Sequence, residues 1–145
     1  MEVYMKEISD FELNKYGIHT KHHIMDNGEL RFRLIGADGS AYVRTESSLD
    51  SGWQNSHYHK TIKELYLVQK GWILFAELLD DKMVIKKYIS DEYCISQPRI
   101  PHNVYMAPNT ILHTIKYGDC TKPDWEKSKK LDELLKKIDI ANLEL

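Results

Sequence analysis

The sequence has little cysteine. Cys94 and Cys120 are the only two in 145 residues, and neither lies in a Cys-x-x-Cys pair. That argues against a secreted disulfide framework, a redox motif and a zinc ribbon, and it fits a reducing cytoplasm. Long apolar runs are missing as well. The longest, WILFA at Trp72–Ala76, is far too short to span a bilayer. No Lys/Arg-rich block stands out in the first 120 residues, and the formal charge is −2, so nucleic-acid binding has no electrostatic footprint. The opening MEVYMKEISDFE lacks a basic stretch followed by an apolar core, and no secretory leader is expected. What is present is ordinary for a soluble globular chain: 42% hydrophobic and 29% charged residues. The length suits one domain spanning 1–145 with a real core.

Residues 1–8 alternate loosely and read as an N-terminal strand. Ser9 and Glu12 have capping-box spacing and Gly17 is a stop signal, so a short helix is expected at about 10–16. His19, His22 and His23 follow, without a carboxylate or a regular face, and are read as solvated or structural. Leu30–Leu34 alternates strictly, Asp38-Gly39 is a hairpin turn, and Ala41–Thr45 returns as a second strand. One face of the hairpin carries Leu30, Phe32 and Leu34, the other Arg31 and Arg33. The simplest expectation is that the arginines face water; the alternative puts one in a cavity mouth as an anion clamp. Short strands then recur at Trp53–Tyr58, Glu64–Gln69, Trp72–Leu78, Val84–Ile89, Tyr93–Ser96, Val104–Met106 and Ile111–Tyr117. Turn residues separate them, which implies an all-β sandwich or barrel with its core over about 22–117. LYLVQKGWILFAELL is apolar on both faces and needs cover on both. A homodimer interface is the economical cover, and a helix is the other. Thr121-Lys122-Pro123-Asp124 reads as the start of an amphipathic helix over about 122–138. Its stripe is Leu131, Leu134, Leu135 and Ile138, and its other face is Lys-rich and solvated.

The chemistry gathers in Gly52–Gly71. On a strand, His57 and His59 aim both imidazoles to one side. Glu64 opens the next strand. Two neutral imidazoles and a carboxylate converging from paired strands suit a divalent transition metal. In PRIPHNVYM a proline turn delivers His102 into a strand that a barrel can bring beside them. Such a donor set leaves a divalent ion about one net positive charge and favours an anionic, bidentate ligand.

His57-x-His59, four residues, Glu64, six residues and Gly71 resemble the first motif of the cupin superfamily. Pro98–His102 is similar to the core of the second, except that Arg99 stands where its glycine is usual. The resemblance covers roughly residues 30–117. It implies a small cupin-like double-stranded β-helix, or jelly-roll, holding one divalent transition metal ion (Fe, Mn, Zn, Ni or Co) on His57, His59, Glu64 and His102.

Strand parity then extends to the substrate wall. With His57 and His59 inward, so are Trp53 and Asn55; with Glu64, Tyr66 and Val68; with His102, Val104 and Met106. Tyr58 points outward. Glu64, Tyr66 and His113 are candidate acid/base groups. The expected function is a metal-dependent enzyme acting on a small oxygen-rich molecule, a sugar-type isomerase or epimerase or a dioxygenase. The alternative is a non-catalytic small-ligand or metal-binding module. No helix-turn-helix accompanies the barrel, which counts against a transcription regulator. The complete ligand set disfavours a metal-free reading like that of the sugar-nucleotide epimerases of this fold.

Overall fold

The computed structural model describes residues 10–50 and 52–145. The strand expected at 1–8 and the Ser9 cap lie outside the described residues. Helix α1 (Asp10–Tyr16) ends as expected at Gly17, whose φ of 66° turns the chain into the barrel. The strands are β1 (Ile18–Ile24), β2 (Leu30–Gly36), β3 (Ala41–Glu46), β4 (Gly52–Trp53), β5 (His57–Tyr58), β6 (Ile62–Lys70), β7 (Trp72–Leu79), β8 (Lys82–Ile89), β9 (Tyr93–Ile95), β10 (His102–Met106), β11 (Ile111–Gly118) and β12 (Glu126–Lys127). Helix α2 (Lys129–Lys136) follows.

Two antiparallel sheets face each other. One runs β1-β2-β3-β11-β6-β9, the other β12-β5-β10-β7-β8, with β4 also paired to β10. This is the double-stranded β-helix. Between the sheets Tyr66, Val68, Ile73, Phe75, Val104, Met106 and Leu112 form the buried apolar core. The tight β6–β7 turn needs Gly71: its φ is 80°, and an added Cβ would lie 2.2 Å from Thr110 Oγ1.

Four features depart from the sequence reading. Strand β1 begins the sheet at Ile18 rather than near residue 22. Its residues are polar and histidine-rich, so no hydrophobic contrast announces it. The strand expected over Trp53–Tyr58 is broken. Trp53 pairs with Tyr105 and His57 with His102, so four steps on one side oppose three on the other. One extra residue in 54–56 makes a β-bulge. Buried Asn103 satisfies it, donating to the Gln54 carbonyl at 3.0 Å and to Ser56 Oγ at 2.9 Å.

The C-terminal helix starts at Lys129, not at Pro123-Asp124. Ser128 is its N-cap, accepting from the Leu131 amide. Its Leu131 and Leu135 pack on Ala76 of β7, with Trp53, Leu78, Met83, Ile85 and Ile138 around them. The outer face of the apolar β7 run is thus covered within the chain, not by a second copy. Lastly, the β2–β3 hairpin is turned the other way. Arg31 and Arg33 face the barrel interior, and Leu30, Phe32 and Leu34 lie on the outer face, where His22 stacks on Phe32 and Arg44 lies over it. Among the described residues no helix is long and apolar enough to cross a membrane.

Candidate metal centre

His57 ends the bulge, His59 follows β5, Glu64 lies on β6 and His102 opens β10. Register puts His102 directly opposite His57. The four side chains converge, with one ligand atom from each all within 4.8 Å of one another. His59 Nε2 lies 2.7 Å from Glu64 Oε1, His57 Nε2 3.2 Å and His102 Nε2 3.3 Å.

The opposite nitrogen of each ring is already committed. Nδ1 of His57 donates to the Asn55 carbonyl at 2.9 Å, that of His102 to the Ile100 carbonyl at 3.0 Å, and that of His59 to the Asp124 carbonyl. A backbone carbonyl only accepts, so each Nδ1 carries the hydrogen and each neutral ring turns an Nε2 lone pair toward Glu64. All three carbonyls come from irregular backbone: the bulge, the proline turn and the segment after the barrel.

Three lone pairs facing a carboxylate oxygen repel one another unless a cation stands among them. Without a metal ion the cation has to be a proton. Burial would raise the Glu64 carboxyl, but a proton shared with His102, His57 and His59 around it outweighs that and holds it well below the ordinary carboxylate range. Burial likewise opposes charging His59, yet its bond to Glu64 leaves that imidazole raised above its usual value. A nitrogen-rich set of three imidazoles and one carboxylate, with Nδ1 hydrogens held by carbonyls, fits a divalent transition ion.

The centre opens into a cavity of about 400 Å³. Tyr66 lines it, and burial, then the nearby Glu64 carboxylate, push its phenol well above the usual value. Val68, Val104 and Met106 point inward as parity requires, but they pack in the dry core and do not line the cavity.

Trp53, Asn55 and His113 lie elsewhere than the sequence reading puts them. The bulge shifts parity by one residue, so Trp53 faces outward under α2 and against Tyr105, and Asn55 is exposed. Gln54 takes their place in the cavity, its amide 3.2 Å from Glu29 Oε1. His113 is not in the cavity either. Leu112 and Thr114 face in, so His113 lies on the outer face of its sheet, 2.7 Å from the Tyr42 hydroxyl and 2.5 Å from Gln69 Oε1. Tyr58, expected outward, does not line the cavity.

The sequence reading missed several lining residues. Trp125 lies against His57, ring centroids 5.5 Å apart and nearly parallel. His23 lies in the cavity against Arg33, although the histidines of its strand gave no such signal. Lys116 lies opposite Glu64 in the β6–β11 register. Arg99 is exposed. It occupies the left-handed turn (φ 68°) that a glycine suits, and its amide donates to the His59 carbonyl at 2.6 Å.

No family model and no curated protein matches the sequence. Solved structures do match. The structure of KdgF from Halomonas sp. aligns with a TM-score of 0.54 at 9% identity, over 77% of this chain and 90% of that one. Oxalate decarboxylase from Bacillus subtilis aligns at 0.61 and 12% identity, over 99% of this chain but 40% of the enzyme. The Drosophila melanogaster CENP-C cupin domain aligns at 0.54 and 13% identity, over 68% and 75%. Two antiparallel sheets closed on a group of three histidines and one glutamate define a double-stranded β-helix whose core carries a cluster able to hold a metal ion. The fold is that of the cupin superfamily.

Proposed function

We propose that the protein is a metal-dependent enzyme acting on a small oxygen-rich molecule, by proton transfer of the sugar isomerase or epimerase kind. The observation that carries this is the convergence of three Nε2 lone pairs on Glu64 Oε1 with every Nδ1 hydrogen already used. His57, His59, His102 and Glu64 would hold one divalent ion among Fe, Mn, Zn, Ni and Co. When bound, such an ion supplies Lewis-acid polarisation of a substrate oxygen.

The chain's own groups supply the rest. Tyr66 keeps its phenolic proton at neutral pH and is therefore a donor rather than a base. Glu64 stays ionised beside it. Val68, Val104 and Met106 close the barrel beneath the site and keep water out from below. Trp125 shields the His57 side. Two free, buried cysteines are compatible with a cytoplasmic setting. Exposed Leu67, Ile115 and Tyr93 on the outer face of the β11-β6-β9 sheet support a homodimer through that face.

The test is metal loading under anaerobic conditions, then incubation with hydroxy-ketones and hydroxy acids in D2O. The expected result is deuterium entering a carbon-bound position, with Tyr66→Phe slowing it by roughly 10²–10⁴-fold while metal stays bound. Oxygen uptake with Fe(II) and no exchange would point to a dioxygenase instead. Neither reaction from fully loaded protein would overturn the enzyme reading. It would leave a non-catalytic ligand-binding module, which the likeness to CENP-C, solved bound to CAL1, favours.

A further inference from the structure

The cavity has two chemically different ends. At one end stand the three imidazoles and Glu64, with Lys116 opposite Glu64. At the other, across the sheet, β1 and β2 present Lys21, His23, Arg31 and Arg33. The register fixes their spacing. Arg33 pairs with Val43, Val43 with Thr114 and Thr114 with Tyr66, so Arg33 and Tyr66 share one row, three strand spacings apart. At about 4.8 Å per spacing that is roughly 14 Å between backbones. The floor between is short side chains, Ala41, Val43, Thr45 and Thr114, which leave the space over them open.

The charges at the far end are not equivalent. Arg31 is neutralised: its guanidinium lies 2.7 Å from Glu29, a carboxylate with no exposure that also accepts from Gln54. Among the described residues, Lys21, Arg33 and Lys116 make no ion pair. Arg33 donates to His23 Nδ1, and both residues line the cavity. Burial, then Arg33, Lys21 and Arg31, hold His23 below its usual value, so it stays neutral and accepts that bond. Three cations without counter-ions around a half-open cavity create a field that selects anions.

We propose that the cavity binds an elongated dianion, one anionic end at the His57/His59/Glu64/His102 centre beside Lys116 and the other on Arg33 and Lys21. The proposal rests on the metal reading for its first end only. The distance to be bridged, less the reach of the arginine and of the centre's side chains, corresponds to a chain of about four to six carbons. Sugar acids, phosphorylated sugars and dicarboxylates share this chemistry, and the test separates them.

Calorimetric titration of Mn(II)-loaded and metal-free protein with adipate, hexanoate, malonate and inorganic phosphate reads both ends. Adipate is expected to bind the loaded protein at least tenfold more tightly than hexanoate, its single-headed equivalent, and more tightly than malonate, which is too short. Arg33→Ala should bring adipate down to the hexanoate level and leave hexanoate within twofold. Lys21→Ala, an exposed edge change that does not threaten folding, should lower adipate binding in the same direction. In the metal-free protein a weaker, salt-sensitive affinity for adipate should persist and vanish in Arg33→Ala. That arm keeps the far end testable even if no metal ever binds. Phosphate matching adipate in metal-free protein would assign the far end to phosphoryl groups; adipate exceeding phosphate assigns it to carboxylates. Equal affinity for adipate and hexanoate in the unaltered protein, or an Arg33→Ala loss shared by both, overturns the proposal.

Discussion

The backbone carbonyl of Asp124 accepts the Nδ1 hydrogen of His59, across 65 positions of chain. The Asp124 carboxylate anchors that contact: it takes the amide hydrogens of Lys60 at 2.7 Å, Thr61 at 2.8 Å and Ile62 at 3.1 Å. The segment after the barrel is thereby strapped to the loop between His59 and Glu64. Asp124→Ala should free the strap, lower metal affinity by about 10–100-fold and leave the barrel folded. A competition titration against a chromogenic chelator, beside circular dichroism, reads the two separately. Unchanged affinity would mean the strap does not orient His59.

The same carboxylate gives a pH signature. Burial would raise it, but the amides of Lys60, Thr61 and Ile62 outweigh that and depress it strongly below the ordinary aspartate value of 3.8. A depressed carboxyl adds stability above its unfolded pKa and loses it as pH falls through the folded one. The contribution should therefore be intact at neutral pH and fade below about pH 4. Urea melts of the protein and of Asp124→Asn should converge in that acid range and diverge above it. Parallel curves at every pH would remove Asp124 from the account.

Elemental analysis of protein grown with transition metals should find about one ion per chain. His59→Ala should abolish it with the fold retained, since a small side chain then stands where a buried imidazole was. Occupancy should also drop on acidification, because binding requires the three rings unprotonated at Nε2. A variant that keeps full occupancy would show the ligand assignment to be wrong.

Arg99 occupies a left-handed backbone conformation that costs a residue with a Cβ about 1 kcal/mol. Glycine relieves this and gives back part of the gain in unfolded-chain entropy. Arg99→Gly is expected to stabilise the protein by about 0.5–1 kcal/mol in denaturant melts. Destabilisation would mean that the arginine side chain makes a contact worth more than the strain.

Gel filtration with light scattering should show a dimer that Leu67→Lys and Ile115→Lys split, because both residues are exposed on the outer sheet face. A strictly monomeric unaltered protein would refute that assembly.

The convergence of His57, His59, Glu64 and His102 was legible because its signal is local. His57-x-His59 and Glu64 need only strand parity and one turn, and His102 needs only a proline turn before a strand. Parity fails where the strand does. The residue inserted in 54–56 exchanges Gln54 for Trp53 and Asn55, and nothing in WQNS announces a bulge. His113 failed for another reason. In Ile-Leu-His-Thr-Ile both faces are plausible interiors, and only pairing with β6 and β3 selects Leu112 and Thr114. Arg31 and Arg33 read as solvent-facing on hydropathy alone. The cost of Arg31 inside is met by Glu29, a buried carboxylate just before the strand, while Arg33 has only the His23 ring as a partner. Pro123-Asp124 carries helix-start chemistry, but its acid caps another loop's amides, a choice made in space.

The strap has a consequence in time. His57, His59, Glu64 and His102 all precede residue 118, yet the carbonyl that sets one ring's tautomer and the indole that roofs another are the last parts of the site to leave the ribosome. A barrel closed through β11 can hold four ligands and still present His59 without its orienting partner. An oriented His59, and with it any ion capture that depends on that ring, would therefore wait for the tail to dock.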